Sequence, residues 1–199
     1  MRAALRHPAA WWALLVLGCL PWAWLLAQTL LDQLGPNPAE ALIRATGDWT
    51  LRSLCVVLAV TPLRTWLGWP ELLRFRRLLG LLVFGYASLH LLCYAWFDMG
   101  FDLADTLQDV LKRPFIWLGF SAFVILLALA ATSFNRAVRW LGGKRWQLLH
   151  RGVYAVAVLA VLHFWWMRAG KQNFTEVLVY AGILAGLLGW RLVRAARRT

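Results

Sequence analysis

Long apolar runs recur along this chain, at approximately 10–31, 49–68, 77–97, 115–132, 150–168 and 175–193, with only short connections between them. Runs of this length cross a bilayer's hydrocarbon core as helices, because a helix satisfies its backbone N–H and C=O groups within the segment. They are continuous rather than alternating, which excludes a membrane β-barrel. The expected fold is an all-α integral membrane protein, a bundle of six transmembrane helices. Charged residues make up 15% of the sequence, against about 25% in soluble domains. The first run is too long for a cleaved signal and no small-x-small site closes it, so it reads as a retained span. The chain is expected to form one domain over 1–199, with a core region at 49–168.

The net charge of +12 would suggest nucleic acid in a soluble protein. Here its distribution indicates topology instead. Arg2 and Arg6, then Arg64, Arg74, Arg76 and Arg77, then Arg136, Arg139, Lys144, Arg145 and Arg151, then Arg191, Arg194, Arg197 and Arg198 fall on one side of the six-span arrangement. They are 15 of the 21 basic residues. Arg44, Arg52, Lys112, Arg113, Arg168 and Lys171 fall on the other side, with every acidic residue except Glu71. The positive-inside rule puts the richer set, and both termini, in the cytoplasm.

The larger outer connections are Asp32 to Thr50 and Asp98 to Arg113. Pro36 and Pro38 break the first, and Gly47-Asp48 predicts a turn near its end. In the second, Asp98, Asp102, Asp105 and Asp109 recur at helical spacing, so a surface helix would show them on one face. Most of the 14 tryptophans suit an interfacial belt. Cys19, Cys55 and Cys93 lie in apolar spans without CxxC spacing and read as small buried hydrophobes.

The candidate chemistry lies in three histidines. His90 and His163 sit well inside the third and fifth spans, each 13 residues beyond the span's start. The two spans run in the same direction, so the rings reach similar depth. A polar ring in lipid needs a partner or a role, and two imidazoles at matched depth suit the axial ligands of one haem. His150 lies 13 residues before His163, roughly 20 Å toward the cytoplasm. It would serve a second haem, but the matching positions on the third span are Arg76 and Arg77. Thirteen residues also turn an ideal helix by about 220° net, so a simple stack of two haems needs a bend or bulge. The haem number is open, one or two. Tetrahedral zinc is disfavoured because no thiolate or carboxylate shares the depth of the histidines. Near-absence of acids in the spans argues against a proton pathway or a transporter.

Arg76-Arg77-Leu78-Leu79-Gly80-Leu81, Tyr86-Ala87-Ser88-Leu89-His90 and Gly143-Lys144-Arg145-Trp146-Gln147-Leu148-Leu149-His150-Arg151, continuing through Val153-Tyr154 to His163-Phe164, closely resemble the MsrQ family. That family lies within the wider ferric-reductase-like transmembrane group and comprises haem-binding membrane subunits of bacterial methionine sulfoxide reductase systems. The resemblance spans nearly the whole chain. It implies b-type haem on His90, His150 and His163, with FMN as a further group. It also implies a multi-pass inner-membrane location and electron transfer to a periplasmic MsrP-like molybdopterin reductase that repairs methionine sulfoxide in envelope proteins. The chain itself would not reduce the sulfoxide. Quinol or a cytoplasmic flavin reductase would supply the electrons. Arg77, Lys144, Arg145 and Arg151 are the candidates for docking a flavin phosphate, a haem propionate or a reductase, and they serve equally as topology determinants and lipid-headgroup contacts. The alternatives are a ferric reductase or other transmembrane haem oxidoreductase, and then a non-redox transporter.

Overall fold

A computed structural model describes residues 2–170 and 172–197; Lys171 and Arg198 of the charge pattern lie outside them. The helices are α1 (Arg2–Arg6), α2 (Pro8–Leu30), α3 (Pro38–Leu67), α4 (Arg76–Cys93), α5 (Leu103–Lys112), α6 (Pro114–Ala131), α7 (Asn135–Leu141), α8 (Gly143–His150), α9 (Gly152–Ala169) and α10 (Thr175–Ala196). A 3-10 turn at Pro70–Phe75 precedes α4 and a π turn at Tyr94–Asp98 follows it. No strand occurs among the described residues. The chain divides into two compact units, 1–106 and 107–199.

Local chemistry starts and stops the helices. Proline occupies the first turn of α2, α3 and α6, where its missing N–H has no intrahelical partner to lose. His7 caps α2 by accepting the Ala9 N–H at 3.1 Å. Asn37 caps α3 by accepting the Glu40 N–H at 3.2 Å. Gly68, at φ 64°, ends α3 in the left-handed conformation.

In the first unit α3 and α4 pack antiparallel, with Leu54, Leu58 and Val83 buried. Val60, Phe75 and Leu79 close one end of the pair. The Tyr86 hydroxyl donates to the Gly18 carbonyl at 2.8 Å and ties α4 to α2. Arg6 pairs with Glu71 at 2.6 Å, and Arg74 donates to the carbonyls of Leu5 and Arg6, fastening α1 to the 3-10 turn. In the second unit α6 and α9 pack antiparallel around Leu126, Leu129, Val156 and Ala157, and Val177 and Leu184 of α10 are buried.

Among the described residues, five helical stretches are long and apolar enough to cross a membrane: Pro8–Leu30, Pro70–Asp98, Pro114–Ala131, Gly143–Ala169 and Thr175–Ala196. In α2 only Leu25 is buried, while Trp12 and Trp24 are 61% and 64% exposed. Such a surface matches lipid and would be costly in water. This is a multi-pass membrane protein. The expected span at 49–68 falls in the C-terminal part of α3, whose first half carries Glu40, Arg44, Asp48 and Arg52 and is correspondingly less apolar.

The structure corrects three local expectations. Gly47-Asp48 is not a turn: capping by Asn37 and Pro38 starts α3 early, and Gly47 lies inside it. Asp98 and Asp102 do not share a helix face with Asp105 and Asp109. Asp98 ends the π turn, and Asp102 accepts the Ala104 and Asp105 N–H groups at 2.7 and 3.0 Å, ahead of α5. Asp109 pairs with Arg113. Finally, His150 and His163 do not lie on one straight helix. α8 ends at His150, Arg151 shares its N–H between the Gln147 and Leu148 carbonyls, and α9 begins at Gly152.

Candidate functional site

His90, near the end of α4, places its Nδ1 2.8 Å from the carbonyl oxygen of Ile43 on α3. His163, near the end of α9, places its Nδ1 2.8 Å from the carbonyl oxygen of Phe115 on α6. A carbonyl oxygen only accepts, so each Nδ1 carries the proton and each Nε2 carries the lone pair. This is the tautomer an iron ligand needs, with its second nitrogen held by a backbone acceptor.

Each seat contains a glycine one helical turn beyond the accepting carbonyl. A Cβ built on Gly47 would lie 3.1 Å from Cε1 and 3.2 Å from Nδ1 of His90. One built on Gly119 would lie 2.9 Å from the same two atoms of His163. The reason lies in helix geometry. The carbonyl of residue i points toward residue i+4, whose Cβ tilts back toward the helix N-terminus and over that oxygen. Glycine at i+4 uncovers the carbonyl for a donor from a neighbouring helix. Ile43–Gly47–His90 and Phe115–Gly119–His163 are thus two copies of one arrangement, one in each unit.

His150 is held differently. Its Nε2 is 3.2 Å from Thr132 Oγ1, and its ring stacks on Trp146 at 3.9 Å between centroids. The Thr132 hydroxyl donates to the Ala128 carbonyl at 2.7 Å, so it accepts from Nε2–H of His150. Trp146 Nε1 donates to the Thr132 carbonyl at 2.8 Å. His150 and Trp146 together cap the end of α6. The His150 tautomer is therefore opposite to that of His90 and His163. Within the second unit, His150 and His163 stand at opposite ends of the α6–α9 pair. Lys144 and Arg145 lie exposed on α8 with Arg151 just beyond, while Arg77 lies exposed at the start of α4 in the first unit.

The histidines stand out in the sequence; the two glycines and the carbonyls behind them do not. The available signal was glycine within otherwise apolar helical sequence, where it weakens a helix unless something packs on it. The donor set suits haem: porphyrin supplies four nitrogens, leaving one or two imidazoles to the protein. Among the described residues, no three His, Cys, Asp or Glu side chains converge to hold a bare metal ion.

Residues 46–161 match the family of ferric reductase like transmembrane components. The chain is 63% identical over 188 residues to the protein-methionine-sulfoxide reductase heme-binding subunit MsrQ of Polaromonas naphthalenivorans, covering 94% of this chain and 86% of that one. It is 54% identical to the MsrQ of Herminiimonas arsenicoxydans, covering 88% and 80%, and 53% identical to that of Bordetella pertussis, covering 93% and 89%. No solved structure matches the chain.

Proposed function

Because the chain belongs to the MsrQ family of ferric-reductase-like transmembrane components, we propose that it is a b-type haem electron-transfer subunit of a methionine sulfoxide reductase system. The observation that carries this reading is the pair of membrane histidines whose Nδ1–H groups are each held at 2.8 Å by a backbone carbonyl. That bond fixes the ring and directs Nε2 as the coordinating atom. Bound haem supplies a reversible one-electron iron couple. His90 in the first unit and His163 in the second would each hold haem iron through Nε2 when the group is bound.

The orientation follows from charge: six spans, α3 included, with both termini in the cytoplasm of a bacterial inner membrane. Arg77, Lys144, Arg145 and Arg151 face the cytoplasm, where they receive a flavin reductase or FMN, with membrane quinol the competing donor. Electrons leave toward a periplasmic MsrP-like molybdopterin reductase. A second haem on His150 requires Thr132 to be exchanged for iron, or ligation through Nδ1.

The test is anaerobic mixing of the dithionite-reduced, purified protein with an oxidised MsrP-type reductase. Rapid reoxidation of the Soret and alpha bands, faster than with ferric citrate or oxygen, is the expected result. Preferential reoxidation by ferric citrate would favour the ferric-reductase reading, and a protein without haem after expression with adequate haem supply would overturn the proposal.

A further inference from the structure

The two imidazole seats share more than a hydrogen bond. In each, the ring lies against the Cα of a glycine four residues after the accepting carbonyl, and the acceptor and glycine belong to a different helix from the histidine. Glycine in a helix interior costs about 0.5–1 kcal/mol relative to alanine, so its presence at both places needs a local cause. The ring is that cause: an added methyl would stand 2.9 Å from the His163 ring at Gly119, where the ring must shift, and 3.1–3.2 Å from the His90 ring at Gly47, where it must give by a few tenths of an ångström. Either shift lengthens and misaligns the Nδ1–H bond. Gly182 and Gly186 of α10 have nothing within 4 Å of a Cβ, and a Cβ on Gly18 or Gly152 would meet the aliphatic side chains of Leu82 or Ile125 rather than a ring.

We propose that Gly47 and Gly119, with the carbonyls of Ile43 and Phe115, are positioning residues that hold the axial histidines in ligating orientation and bias the iron toward its ferric state. This rests on His90 and His163 being the ligands. The Nδ1–H bond to a carbonyl strengthens Nε2 as a donor and so favours ferric iron. Losing it weakens the donor and raises the midpoint potential. Gly119 is the tighter seat, at 2.9 Å against 3.1 Å, so its substitution has the larger effect.

The experiment uses the full chain, purified with its haem. Gly47→Ala and Gly119→Ala are compared with Gly186→Ala by haem-to-protein ratio, low-temperature EPR of the ferric form and redox titration. The expected result is a loss of haem affinity of about 10–100-fold at each seat. Haem that remains should show altered low-spin g values. Its potential should rise by about 59 mV if the ferric preference falls tenfold, with Gly119→Ala the more severe and Gly186→Ala unchanged. A wild-type protein with a low-spin bis-histidine signal and alanine variants identical to it would overturn the positioning role while leaving the haem reading intact. A wild-type protein lacking that signal would instead remove the haem reading. Should either variant fail to fold, pulsed EPR of the ferric wild type with 15N-histidine decides. Both axial Nδ1 atoms should be protonated and slow to exchange in D2O; deprotonated or freely exchanging Nδ1 would contradict the proposal.

Discussion

His163 donates its Nδ1–H to the carbonyl of Phe115 at 2.8 Å, across 48 residues of sequence. His90 makes the same bond with Ile43 at the same distance, across 47 residues. The repetition in two separate helix pairs marks these rings as a matched set. His150, bonded through Nε2 to Thr132, belongs to a different local structure.

That difference predicts unequal roles. Thr132→Val removes the acceptor for His150 and should destabilise the protein by about 0.5–1.5 kcal/mol, leaving the low-spin haem signal in place. His150→Ala should do the same. Thermal unfolding in detergent, followed by haem absorbance, measures both. Loss of half the haem on His150→Ala, with Thr132→Val carrying a full complement, would instead assign His150 to a second haem.

The topology makes a separate prediction. Green fluorescent protein fused after the C-terminus should fluoresce and alkaline phosphatase there should be inactive. Alkaline phosphatase inserted in the segment 32–36, between α2 and α3, should be active. An active C-terminal phosphatase fusion would mean that an odd number of segments crosses, with α3 the segment to re-examine.

Five of the six expected spans were legible in the sequence because lipid imposes one rule on every residue of a run, so length and apolarity are enough; the run at 49–68 lies in α3, whose charged first half keeps it out of that set. The same local view misread Gly47. A Gly-Asp pair usually signals a turn, and the imidazole that makes glycine necessary at that point sits on another helix, 43 positions later in the numbering. Gly119 was silent for the same reason. His150 stood out in the sequence, but its partners, Thr132 and Trp146, look like ordinary interface residues until α6 and α8 are brought together. Asp102 fitted a helical stripe by spacing, yet capping the first turn of α5 uses its carboxylate better than solvation does.

The exposed basic residues should act on encounter and leave the iron site unchanged. Replacing Arg77, Lys144, Arg145 and Arg151 by glutamine should slow haem reduction by a cytoplasmic flavin reductase and flatten its dependence on ionic strength. The haem spectrum and midpoint potential should stay as in the parent. Stopped-flow reduction at several salt concentrations tests this. An unchanged salt dependence would assign these side chains to topology and headgroup contact alone.

Gly68 should be sensitive for backbone reasons. It ends α3 at φ 64° and ψ 34°, a conformation that costs other residues about 1–2 kcal/mol. Gly68→Ala should lower stability by about 1 kcal/mol with haem content unchanged in the folded fraction. Thermal denaturation against Gly186→Ala, a helical glycine with open space around it, provides the comparison.

The proposed function stands or falls on His90 and His163 each ligating low-spin haem through Nε2. Its most direct test is low-temperature EPR and near-infrared magnetic circular dichroism of the purified ferric protein, beside His90→Ala and His163→Ala. The parent should give a bis-histidine low-spin signature that disappears in each variant separately. Persistence of that signature in either variant would contradict it.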